Sequence, residues 1–242
     1  MPEYALYLES GPRMKTTMVH VLDLLGCIAN GSTTEAALEG TPGEIRVFLH
    51  FLRNHGSATG PEGTFTTRIA AHVKEGSWIG YGDPAPGFAP DFEPLSEHDE
   101  KTYRRRFNEL GDELGALVRG LSTEAISARP AKGRSLHEIA SHIANAEPEY
   151  VRAAGFGKAG GVKDVLEAIE ENTGGLDEKL AELWRLIDSH LELITDVERT
   201  QRIQRGEKTW TARRGFRRML EHPWEHLREM QRRLAGARVE AT

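Results

Sequence analysis

Apolar and polar residues alternate along the first part of the chain and follow a longer period in the rest. The segments YALYLES (4–10) and TTMVHVLDL (16–24) are short runs of aromatic, β-branched and alternating apolar residues. The turn-forming sequence GPRMK separates them, and this combination predicts a β-hairpin. TFTTRIAAHV (64–73) has the same character and predicts a further strand.

A helix is predicted between the hairpin and that last strand. Residues 32–35 (STTE) offer capping chemistry for a helix start. Gly40 and residues 41–43 (TPG) interrupt the pattern that follows, yet its apolar residues keep roughly helical spacing. These apolar residues are Ala37, Leu38, Ile45, Phe48, Leu49 and Leu52. Residues 1–78 are therefore interpreted as a small ββαβ domain.

From residue 97 onward β-type patterns nearly vanish, and apolar residues recur at the period of an α-helix. The predicted helices cover residues 97–121, 135–151, 162–172, 179–194 and 211–235. Ser135 and Glu138 form a capping box at the start of the second of them. Four of these helices are long and have one apolar face each, which is typical of a four-helix bundle.

A stretch rich in proline and glycine separates the two parts. Residues 79–96 (IGYGDPAPGFAPDFEPLS) contain four prolines and three glycines and follow neither a helical nor an alternating period. The sequence thus predicts an α+β protein in three parts: a ββαβ domain at 1–78, a connector at 79–96 and a helical bundle at 97–242.

The composition of the chain argues against some classes of function. A formal net charge of −6 argues against general nucleic-acid binding, which usually requires a basic surface. No stretch approaches the roughly 20 apolar residues of a membrane span, and the first residues lack the apolar region of a signal peptide. The single cysteine, Cys27, fits a reducing compartment. We therefore expect a cytoplasmic protein without membrane attachment.

Candidate chemistry centres on a histidine pair in the segment MLEHPWEHL. His222 and His226 are four residues apart, so both lie on one face of the last helix, as two ligands of one metal ion must. His142, near the edge of the apolar face of the second helix, is the candidate for a third ligand. Three neutral imidazoles leave coordination positions open, as in catalytic metal sites. Pro223 removes an amide donor between the paired histidines and biases His222 away from helical torsions.

Other residues near this triad allow two interpretations each. Four carboxylates either orient an imidazole or act as a base, or else form a solvated helix face; they are Glu147, Glu149, Glu221 and Glu225. A basic cluster either attracts the carboxylates of an anionic thiol or forms a charged surface; it comprises Arg202, Arg205, Lys208, Arg213, Arg214, Arg217 and Arg218. The remaining histidines lack partners at ligand spacing and are interpreted as ordinary: His20, His50, His55, His72, His98, His137 and His190.

The segments SLHEIASHIANAEPEY and MLEHPWEHL resemble the DinB-like family, which includes bacillithiol S-transferases and the metal-binding domain of mycothiol-dependent maleylpyruvate isomerase. The resemblance covers about residues 97–242. It implies that His142, His222 and His226 bind a zinc- or nickel-like ion and that a low-molecular-weight thiol is transferred to a small electrophilic substrate. It also implies a homodimer. Metal-dependent hydrolysis is the alternative chemistry, and a protein that has lost its metal is the alternative to a metal site.

The first 75 residues are similar to HicB-like antitoxins, which carry a Leu-x-Gly-Cys turn, a short strand and a Thr-x-x-Glu-Ala-Leu helix start. The matching residues are Leu24, Gly26, Cys27, Gly31, Thr34, Ala37 and Leu38. This resemblance implies an alternative of another class, a non-enzymatic protein that binds a toxin or another partner. The DNA-binding module that usually follows in that family has no counterpart after the connector.

Overall fold

The computed structural model describes residues 1–57, 64–76, 79, 86–172 and 174–240. In these residues the chain has the predicted α+β architecture, a four-stranded sheet with one long helix followed by a helical region. The elements of the first part are β1 (Glu3–Ser10), β2 (Thr17–Val21), β3 (Ile28–Gly31), α1 (Thr34–Asn54) and β4 (Thr66–Val73).

The sheet has the strand order β3-β2-β1-β4. β1 and β2 form the predicted antiparallel hairpin, with Leu6 opposite Val21 and Ser10 opposite Thr17. β4 pairs with β1 in parallel, as a strand that returns after a crossover helix does. The ββαβ prediction lacked β3, which pairs antiparallel with β2. Its four residues are too few for an alternating pattern to stand out.

Helix α1 runs unbroken through the glycines and proline that interrupt its sequence pattern. The Thr33 side chain caps the helix by accepting a hydrogen bond from the Ala36 amide at 3.1 Å. Pro42 lies inside the helix. The Thr41 hydroxyl donates to the Ala37 carbonyl at 2.7 Å, one turn back. The buried face of α1, including Ile45 and Phe48, therefore stays continuous against the sheet.

The helical part contains the four predicted long helices. They are α2 (Glu97–Val118), α4 (Leu136–Ala153), α6 (Leu176–Leu191) and α8 (Ala212–Glu240), with the shorter α3 (Thr123–Ser127), α5 (Val162–Glu170) and α7 (Asp196–Thr200) between them. The capping box is confirmed, since Ser135 Oγ accepts from the Glu138 amide at 3.1 Å and Glu138 Oε2 accepts from the Ser135 amide at 2.8 Å. α8 packs against both α2 and α4, and α2 also packs against α6.

The expectation that β-structure is nearly absent after residue 97 is wrong at one place. β5 (Arg202–Arg205) and β6 (Lys208–Thr211) form a two-stranded hairpin directly before α8. Its strands are only four residues long and contain one apolar residue each, Ile203 and Trp210, so they carry little apolar alternation. Gly206, with a positive φ of 60°, makes the turn.

The two parts of the chain share one continuous apolar core, which extends from Leu8 and Val19 in the sheet to Phe107 and Trp184 in the bundle. Part of the predicted connector lies outside the described residues, and the boundaries at 78 and 96 stay predictions. Within its described end, Asp91 lies in a single turn of 3₁₀ helix (Ala89–Phe92). No helix in the described part of the chain is long and apolar enough to cross a membrane.

Candidate metal centre

The structure brings the three predicted histidines together where α4 meets α8. His142 projects from α4, and His222 and His226 project from successive turns of α8. One ring nitrogen from each histidine can be chosen so that all three lie within 4.8 Å of one another. His142 Nε2 lies 3.1 Å from His222 Nε2. The three ring centroids are 4.9–5.0 Å apart and the rings are nearly perpendicular in pairs.

These distances fit a shared cation. In a tetrahedral site with metal–nitrogen bonds of about 2.0–2.1 Å, neighbouring ligand nitrogens are about 3.3 Å apart. The 3.1 Å separation of the two Nε2 atoms is close to that value. The same separation also suits an N–H···N hydrogen bond between two imidazoles. The geometry therefore permits a metal ion, and a measurement of bound metal separates the two cases.

Pro223 does not spoil the histidine pair. α8 continues from Ala212 to Glu240 with the proline inside it, so His222 and His226 keep the one-turn spacing of a helix. Buried apolar side chains on the same helix, among them Met219, Leu227 and Met230, hold it against the bundle. The local packing thus presents both imidazoles to His142.

A glutamate side chain lies against the Nδ1 atom of each of the two α8 histidines. His222 Nδ1 is 3.4 Å from Glu147 Oε1, and His226 Nδ1 is 2.9 Å from Glu229 Oε2. A proton held at each Nδ1 would leave the lone pair of each Nε2 free for a metal. Glu147 was among the carboxylates predicted near the site. Glu229 was not, although its position three residues after His226 places it on the same helix face.

The surroundings favour the neutral form of His142 and His222, which is the form of imidazole that binds metals. Burial, followed by the positive charges of Arg134 and His226, lowers the pKa of His142 to about 4. Burial lowers the pKa of His222 well below its ordinary value, and His226 and Arg218 add to the effect. His222 is buried, His226 half-buried and His142 exposed, so the cluster opens to solvent on the α4 side.

The other three predicted carboxylates do not contact the histidine triad. Glu221 turns the other way and lies 2.8 Å from His20 in the sheet. Glu225 accepts a hydrogen bond from Asn30 Nδ2 at 2.6 Å. Glu149 pairs with Arg152 on the surface of α4. Their proximity in sequence to the histidines therefore does not give them a place in the site.

Both interpretations of the basic cluster are wrong for three of its members. Arg214, Arg217 and Arg218 are each 1% exposed, so they form neither a charged surface nor a funnel for an anionic molecule. Arg217 Nε donates to Asp91 Oδ1 at 2.9 Å, and Arg217 also lies 3.4 Å from Glu221 Oε2. Arg217 and Arg218 thus balance the buried carboxylates of Asp91 and Glu221.

The chain matches no family model, and comparisons with curated proteins and with solved structures also give no significant match. The resemblances to DinB-like proteins and HicB-like antitoxins therefore stay predictions from the sequence. What is known of the centre comes from its geometry: three imidazoles, two supporting carboxylates and an opening to solvent.

Proposed function

We propose that the protein is a metal-dependent enzyme in which His142, His222 and His226 bind one divalent ion such as zinc or nickel. We further propose that it transfers a low-molecular-weight thiol to a small electrophile. The observation that carries the proposal is the convergence of three imidazole nitrogens from two helices within 4.8 Å. Imidazole is a good ligand for both metals, and the donor set alone does not choose between them.

The number of ligands favours catalysis over a structural role. Structural zinc sites usually have four protein ligands, whereas catalytic sites have three and keep a position for water or substrate. Within the described part of the chain, the cluster contains three histidines and no fourth ligand. A divalent ion at this place would lower the pKa of a bound thiol and supply a nucleophile near neutral pH.

The residues around the triad have separate tasks in this proposal. Glu147 and Glu229 lie against Nδ1 of the two α8 imidazoles, and they would orient these rings so that each Nε2 is free to bind the ion. His142, at the exposed edge, borders an open depression of about 460 Å³ where a small substrate fits; its other lining residues are His137, Glu138, Ser141, Asn145 and Glu170. In the transfer, the thiol proton leaves to solvent, sulfur bonds to the electrophilic carbon, and the leaving group departs with its electron pair.

Metal analysis tests the first step. Protein purified without added metal should contain close to one divalent ion per chain, and His226→Ala should remove it. His98→Ala, which removes an exposed histidine on α2, is the matched control and should leave the metal content unchanged. Equal metal in all three proteins would show that the ligand assignment is wrong.

Activity measurements separate the two chemistries. Thiol transfer predicts that a chromogenic electrophile is consumed only when a thiol is added, and that His226→Ala abolishes this consumption. Consumption that proceeds equally well without thiol would favour the metal-dependent hydrolase instead. The homodimer and the toxin partner implied by the two resemblances are separate proposals, which light scattering and co-purification with a neighbouring gene product test directly.

A further inference from the structure

The open depression beside His142 contains one charge that the protein does not balance. Glu138 and Glu170 are the two carboxylates among its lining residues. Arg129 Nε donates to Glu138 Oε2 at 3.0 Å, so the charge of Glu138 is balanced. Glu170 accepts a hydrogen bond from Asn145 Nδ2 at 3.3 Å and, within the described part of the chain, forms no ion pair. The depression therefore keeps the negative charge of Glu170.

Two contacts with α4 hold Glu170 on the helix that carries His142. His137 Nε2 donates to the carbonyl oxygen of Ile169 at 2.7 Å, and the Ile169 side chain is fully buried, so the end of α5 is fixed against α4. Asn145, which binds the Glu170 carboxylate, follows His142 by three residues and lies on the same face of α4. One amide side chain thus links the carboxylate to the edge of the histidine triad.

The polar atoms that the depression offers to a ligand are mainly hydrogen-bond acceptors. Both oxygens of a carboxylate accept. Asn145 directs its Nδ2 to the Ser141 carbonyl at 2.9 Å and to Glu170, so its Oδ1 is left as an acceptor. In the described part of the chain, no lysine or arginine lines the depression. A protonated amine matches this arrangement, because it carries three donors and a positive charge.

We infer that the thiol bound at the metal centre carries a protonated amine, which Glu170 binds. This inference rests on the proposed function, because it needs a thiolate seated at the three histidines. His142 belongs to the triad and also lines the depression, so a ligand on the ion can extend to Glu170. The ammonium donates to the Glu170 carboxylate and to Asn145 Oδ1, while the sulfur bonds to the ion. A thiol with a carboxylate in the same place is repelled by Glu170.

The test uses the full chain loaded with Co²⁺, whose visible spectrum reports both metal and thiolate. Aminohexanethiol carries an ammonium at the end of a flexible chain, and mercaptohexanol is its neutral counterpart of equal length. Each is titrated while the thiolate-to-cobalt charge-transfer band is recorded. Wild type should bind aminohexanethiol about fivefold more tightly than mercaptohexanol, which corresponds to one favourable exposed ion pair.

Glu170→Gln keeps the shape of the side chain and removes its charge. This variant should bind aminohexanethiol about fivefold more weakly than wild type does, and its affinity for mercaptohexanol should be unchanged. Glu171→Gln is the matched control, because it removes the same charge from the neighbouring exposed residue, which does not line the depression. It should change neither affinity.

Three results separate the inference from the proposed function. Equal affinities of wild type for the two thiols would overturn the role of Glu170, while the bound cobalt upheld the metal centre. An unchanged preference for aminohexanethiol in Glu170→Gln would also overturn that role, as would equal weakening of both thiols. Absence of the cobalt d–d bands from wild type would instead overturn the proposed function, and the inference with it.

Discussion

His20 in β2 and Glu221 in α8 form a buried ion pair between the sheet and the bundle. His20 Nδ1 lies 2.8 Å from Glu221 Oε1, and both side chains are 1% exposed. On its other side, His20 Nε2 is 3.3 Å from Glu9 Oε1 in β1. The second oxygen of Glu221 lies 3.4 Å from Arg217 and 3.3 Å from Arg218. Because Glu221 directly precedes His222, this network reaches the backbone of the histidine triad.

Glu221→Gln should destabilise the protein strongly. The substitution keeps the shape of the side chain but leaves His20 and the two arginines without their shared negative charge in a buried place. Breaking one partner of a buried charge network typically costs about 3–5 kcal/mol. Chemical denaturation at pH 7 should show a fall in the free energy of unfolding of that order.

The surface ion pair between Glu97 and Lys101 provides the control for the loss of unfolding free energy expected in Glu221→Gln. It spans 2.6 Å on α2 with both side chains more than 60% exposed, so Glu97→Gln should change the unfolding midpoint little. If Glu221→Gln were as mild as Glu97→Gln, the buried network would not be a main link between sheet and bundle.

Stability should also fall as His20 loses its proton. Burial alone lowers the pKa of His20. The charge of Glu221 and the hydrogen bonds that His20 donates to Glu221 and Glu9 raise the pKa more, against the opposing charge of Arg217, and the net direction is upward. A pKa raised in the folded state contributes stability that is complete below the unfolded value of about 6.5. This contribution is lost as pH rises from there through the folded-state pKa.

Urea denaturation between pH 6 and 9 measures this loss. Wild type should lose up to about 1.4 kcal/mol per pH unit from this one proton inside the window. His20→Gln cannot titrate and should remove that part of the slope, whereas His50→Gln, at an exposed position on α1, should keep it. The same slope in His20→Gln and wild type would assign the pH dependence to another group.

Gly111 in α2 leaves the space that the Trp184 side chain occupies. A Cβ atom at Gly111 would lie 2.3 Å from Trp184 Cδ1. The indole stacks on Phe107 at 5.2 Å between ring centroids and donates from Nε1 to the Phe107 carbonyl at 2.9 Å. Gly111→Ala should therefore destabilise the protein by about 1–3 kcal/mol through overpacking. Thermal denaturation measures the change.

The sign of that effect distinguishes packing from helix propensity. Alanine is favoured over glycine inside a helix by about 1 kcal/mol. Gly43 lies within α1 and has open space around a built Cβ atom, so Gly43→Ala should raise the melting temperature. A rise in both variants would show that Trp184 can move aside at little cost.

The sequence predicts the elements of this fold better than the contacts between them. Apolar periodicity locates all four long helices, and the capping box places the start of α4, because both signals depend on residues less than a few turns apart. β3 and the hairpin of β5 and β6 are missed, since four-residue strands depend on pairing partners elsewhere in the chain.

The difference between contacts that are close and contacts that are distant in the sequence also explains which parts of the site were predicted. The triad is accessible from sequence because two of its members share a helix face, and a resemblance suggests the third. His20 is interpreted as ordinary from the sequence, yet it is fully buried, since its partner Glu221 is 201 positions away. Arg217 is misread for the same reason, because its counter-charge Asp91 lies 126 positions away in the sequence.

Glu229→Gln should weaken metal binding without unfolding the protein. Glu229 holds His226 Nδ1 at 2.9 Å, and partners of this kind typically affect metal affinity about 10- to 100-fold. Competition with a chelating dye should show the weaker zinc affinity, while the melting temperature in excess chelator should stay close to wild type. Glu149→Gln, on the surface of α4, is the control and should keep full affinity. A loss of thermal stability in chelator with unchanged zinc affinity would assign Glu229 a structural role in place of an orienting one.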